Sequence, residues 1–99
     1  MSQTKAQLLD GKSATIQFTG GSASVPAVSF TGDTNTGIYS PGADQLAIST
    51  AGSGRLFVDS SGNIGLGTNS TPSYLLDLLG SAPRIRVTDS STGAAFHHF

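Results

Sequence analysis

The chain is 99 residues long, with 11% charged side chains, a formal net charge of −1 and no cysteine. That length suits one small domain with a thin core, or a fragment of something longer. The missing cysteine excludes disulfides and thiolate metal sites, and the balanced charge gives no electrostatic basis for binding nucleic acid or an anionic membrane.

There is no Glu, and Ser, Thr and Gly fill about two residues in five. Glu and Lys favour helices, Thr favours strands, and Gly and Ser favour turns, so the expected class is all-β, with short strands and tight Gly/Ser turns. No apolar h-region follows Met1-Ser2-Gln3-Thr4-Lys5, and no signal peptide is expected. No apolar run approaches the ~20 residues of a membrane span.

Residues 1–12 read as a separate arm. Lys5-Ala6-Gln7-Leu8-Leu9-Asp10 favours a helix but is too short to hold one alone, and Gly11 ends it. The pair Leu8-Leu9 needs a surface to pack on. The arm is expected to be extended or helical and to dock on a partner chain through Lys5, Gln7, Leu8 and Leu9; the alternative is a frayed terminus.

Residues 13–44 form a first β segment. Ala14–Thr19 alternates, with Ile16 and Phe18 on one face, until Gly20-Gly21-Ser22 breaks it. Val25–Thr31 follows, with Val28 and Phe30 on one face and Pro26 marking a strand start or an edge. Gly32–Gly37 reads as a turn or loop, and Ile38-Tyr39-Ser40 as a brief extended piece ended by Pro41-Gly42.

Residues 45–68 give the clearest pattern, a three-stranded meander. Gln45–Thr50 places Leu46 and Ile48 inward, and Ala51-Gly52-Ser53-Gly54 turns the chain. Arg55–Asp59 returns with Leu56 and Val58 on one face and Phe57 on the other. After Ser60-Ser61-Gly62, Asn63–Thr68 places Ile64 and Leu66 inward. Gly65 and Gly67 leave the other face of that strand bare, which predicts close approach of another backbone, as around a threefold axis.

Residues 69–99 form the last segment. Tyr74–Gly80 carries four leucines and fits either a short helical turn or a buried strand. Arg84–Asp89 alternates, with Ile85 and Val87 inward and Arg84 and Arg86 outward. Ser90–Gly93 is a turn. Ala94–Phe99 opens a further strand, from which a C-terminal region beyond Phe99 is expected.

Residues for chemistry are sparse. Asp33, Asp44, Asp59 and Asp89 lie beside Gly or Ser turns, where Asp commonly caps backbone N–H groups. His97 and His98 would point to opposite faces of a strand, which suits joint metal ligation poorly. Gly62–Gly67 fits no dinucleotide or phosphate-loop pattern. Tyr39 and Tyr74, without any Trp, offer little for stacking on sugars. No catalytic, metal or cofactor residue is assigned, and the chain is not expected to be an enzyme.

The stretch Val28–Leu46, containing Gly32-Asp33-Thr34-Asn35-Thr36-Gly37-Ile38-Tyr39-Ser40-Pro41-Gly42, resembles a module of tail-fibre proteins of marine phages, including cyanophages. Asp59-Ser60-Ser61-Gly62-Asn63-Ile64-Gly65-Leu66-Gly67-Thr68, then Pro72, then Leu76-Asp77-Leu78, resembles the shaft segment of such fibres. The resemblance covers roughly residues 28 to 88, and Leu78-Leu79 departs from the family's valine and polar residue. It implies a homotrimeric, intertwined β fibre in the virion. The arm would anchor to a tail tube, adaptor or nozzle protein, and a distal region outside this chain would meet the host receptor. The expected trimer core is Leu46, Ile48, Leu56, Val58, Ile64, Leu66, Ile85 and Val87. A capsid-bound head fibre and a carbohydrate-binding tailspike fragment are the alternatives.

Overall fold

The computed structural model describes residues 15–68 and 70–91. They form one six-stranded sheet in the order β1-β2-β3-β4-β5-β6, with no helix among the described residues. The strands are β1 (Val28–Phe30), β2 (Asp33–Tyr39), β3 (Leu46–Thr50), β4 (Ser53–Val58), β5 (Ile64–Gly67) and β6 (Leu76–Leu79). The first five run antiparallel as a meander, and β6 lies parallel to β5. The chain is all-β, as its composition predicts.

The turns explain the meander. Thr50 pairs with Ser53 across the two residues Ala51-Gly52, both at positive φ (52° and 79°). Such a turn carries the right-handed twist that joins antiparallel strands without splaying them. β2 holds its tip: the Ala51 N–H donates to Thr36 Oγ1 (3.1 Å) and the Gly52 N–H to the Asn35 carbonyl (2.8 Å). Between β4 and β5 the Asp59 carboxylate accepts from the N–H groups of Ser61 and Asn63, each at 2.9 Å. This is the capping role expected of an Asp ahead of Ser-Ser-Gly.

The parallel step from β5 to β6 uses only residues 68–75, shorter than the usual crossover. Backbone and side-chain hydrogen bonds stitch it down. Ile64 N–H donates to the Leu75 carbonyl, Thr68 N–H to the Leu79 carbonyl, and Ser73 N–H to Asp77 Oδ2. The leucine-rich segment is therefore a strand over Leu76–Leu79.

Three sequence expectations change. Thr15–Thr19 of the first alternating segment joins no sheet, because the chain after it closes on itself instead. Gly21 bridges Pro26, Ser22 N–H donates to the Val25 carbonyl, and Ser40 N–H takes up the Gly20 carbonyl. The loop expected at residues 32–37 is mostly β2, since Thr31-Gly32 alone suffices as the turn and Phe30 already pairs with Asp33. Of the last alternating segment, Arg84–Val87 carry no ladder and Thr88 takes part only in a bridge.

The interior lies on one face of the sheet. Tyr39, Ala47 and Phe57 pair directly across β2, β3 and β4, continue to Gly65 on β5, and are buried. Gly37, Ser49 and Gly54 form the neighbouring row. These small residues give the two rings room to lie against the sheet. A Cβ at Gly54 would collide with the Phe57 ring and the Tyr39 hydroxyl, and one at Gly37 would collide with the Val28 carbonyl. Pro26 is buried, and Ala23 packs against the cluster.

Candidate interaction surface

The opposite face is aliphatic and uncovered. Strand registers line up Val28, Ile38, Ile48, Leu56, Leu66 and Leu78 as one continuous row across all six strands. A second row joins Leu46, Val58, Ile64 and Leu76 across β3, β4, β5 and β6. No residue of either row is buried. Leu46 is 50% exposed, Ile48 39% and Leu76 54%, while Leu56, Val58, Leu66 and Leu78 are half-buried. Period-two alternation produces the arrangement: on β3, Ala47 and Ser49 point to the interior, so Leu46 and Ile48 point away from it.

Six of the residues expected in an intermolecular core, Leu46, Ile48, Leu56, Val58, Ile64 and Leu66, are brought together on this face. They are inward for no single chain: the chain's own interior uses the other side of the same strands. Ile85 and Val87 lie outside the sheet and are exposed together with Arg84 and Arg86. Lys5, Gln7, Leu8 and Leu9, like His97 and His98, lie outside the described residues. Val28, Ile38, Leu76 and Leu78 complete the rows but were not assigned to them from sequence. Ile38 was hidden because residues 32–37 read as a loop, and the β6 leucines because their periodicity fits helix and strand equally.

Within the chain, Gly65 lies opposite Phe57 and Asp77, and a Cβ on Gly67 (φ 83°) would collide with the Leu79 carbonyl of the neighbouring strand β6.

Chemical groups do not converge on the aliphatic rows. Among the described residues no three His, Cys, Asp or Glu side chains gather as a metal site. Asp59, Asp77 and Asp89 each accept backbone N–H groups at turns or loops. A shallow cleft between Leu66, Leu78, Leu79 and residues 80–84 has Arg84 as its one titratable side chain. At the far end of the aliphatic face, a bulge in β4 lets Arg55 Nε donate to Thr50 Oγ1 at 2.9 Å. No helix among the described residues is long and apolar enough to cross a membrane. Comparison with protein-family models, curated proteins and solved structures found no match to this chain.

Proposed function

We propose that this chain is a structural component of a phage tail fibre, non-catalytic, working as a homotrimer whose sheets meet through the aliphatic face. The observation that carries the reading is the pair of aliphatic rows, ten side chains left partly open to water, beside an interior that among the described residues centres on Tyr39, Ala47 and Phe57. Six of the ten are 37–54% exposed and the other four less, so burying what remains contributes on the order of 5 kcal/mol per chain. That is a sizeable gain beside a net folding stability of about 5–15 kcal/mol.

The resemblance of residues 28–88 to marine-phage fibre shafts supports the same reading. Three copies turning one apolar face toward a common axis form a closed shaft, with each chain's Tyr39–Phe57 cluster on the outer side of its sheet. The arm, through Lys5, Gln7, Leu8 and Leu9, would link it to a tail tube, adaptor or nozzle protein, and a distal region would meet the host receptor. Antibodies against the chain, imaged by electron microscopy on virions of the phage that encodes it, test this placement. Decoration of the tail fibres is expected. Decoration of the capsid alone would make it a head fibre, and bare particles would overturn a virion role.

A further inference from the structure

Residues 84–87 and the outer edge of β6 fit each other in a way that the single chain leaves unused. An antiparallel register that sets Leu79 against Arg84 also sets Leu78 against Ile85, Asp77 against Arg86 and Leu76 against Val87. Ile85 would then extend the first aliphatic row and Val87 the second. On the other face, Arg86 would sit beside the Asp77 carboxylate. A slip by one residue would destroy all of these matches at once. The match between two alternating segments is thus specific in apolar pattern and in charge.

Among the described residues the chain does not make this pairing with itself. Arg84–Val87 carry no ladder, while Thr88 already takes part in a bridge, and Ile85 and Val87 are 63% and 44% exposed. No residue of Gly80–Pro83 has a positive φ, the usual device for turning a hairpin of this length back on itself. Instead, residues 80–84 line a cleft with Leu66, Leu78 and Leu79 at the ends of β5 and β6.

We infer that residues 84–87 pair with the β6 edge of a neighbouring copy, so that copies of this chain exchange strands. This rests on the oligomeric reading above. The exchange covers an edge that would otherwise present unpaired N–H and C=O groups. It also gives Ile85 and Val87 a place in the apolar rows.

The absence of cysteine in the chain makes a clean test available. Leu78→Cys and Ile85→Cys are placed on separate chains carrying tags of different size, co-expressed, and oxidised. The result expected is a mixed L78C–I85C disulfide as the major oxidised species, lost when the second cysteine is moved one residue to Arg86→Cys. A same-chain loop dominating in the L78C/I85C double variant would overturn the exchange. So would an oligomer, verified by sedimentation, that forms no mixed cross-link. A folded monomer would defeat the oligomeric reading beneath it, a result distinct from either.

Discussion

Ala51 is the residue whose chemistry fits its position least. It sits at φ 52° in the β3–β4 turn, where a Cβ is strained and Asn is favoured ahead of Gly. Ala51→Asn is expected to raise stability by about 1 kcal/mol, read as a higher denaturation midpoint. Ser49 is fully buried, and its Oγ has no hydrogen-bond partner. An unsatisfied buried hydroxyl costs roughly 1–3 kcal/mol, so Ser49→Ala is expected to leave the midpoint unchanged or raise it. Asp59 works the other way: Asp59→Ala removes an acceptor for two N–H groups and should lower stability by about 1–2 kcal/mol in the same assay. The capping roles of Asp59 and Asp89 were legible in sequence, because Asp followed by Ser at a chain reversal leaves few other uses for the carboxylate. The strain at Ala51 was not: alanine carries no signal for a left-handed backbone.

At the scale of elements, the meander of β3, β4 and β5 was readable because each strand alternates and each turn holds a Gly. Which face the chain itself would cover was not. Leu46 and Ile48 outweigh Ala47 and Ser49 in hydrophobicity, so alternation alone points the larger pair inward. The structure reverses this because Tyr39 and Phe57 need the small residues Ala47, Ser49, Gly37 and Gly54 beneath their rings. β2 was half missed, since Asp33-Thr34-Asn35-Thr36 reads as polar loop when nothing shows a partner strand. The segment 84–89 alternates like a strand, yet Arg84–Val87 form no ladder within the chain, because residues 80–83 do not turn it back onto the open edge of β6. The two faces make opposite predictions. Gly54→Val should unfold the chain, because its side chain has no space among the two rings. Leu56→Asp should leave the Tyr39–Phe57 cluster intact while dissociating the assembly, seen as retained near-ultraviolet circular dichroism at a lower sedimentation coefficient.

For the molecule as a whole, the sheet is a two-sided object with one side closed by residues of its own chain and the other left greasy. A monomer would have to keep two unbroken rows of Leu, Ile and Val in water, which soluble monomers rarely tolerate as a continuous patch. The six residues of the central strands could be named for this surface from sequence because they sit on the most regular part of the chain. The row's reach to Val28 at one edge and Leu78 at the other depends on registers that only the folded sheet defines.

Sedimentation equilibrium of the chain at micromolar concentration tests the central claim most directly. The account predicts a single species at three times the 10.0 kDa chain mass, unchanged on dilution. A folded species at the mass of one chain, with its sheet intact, would contradict it.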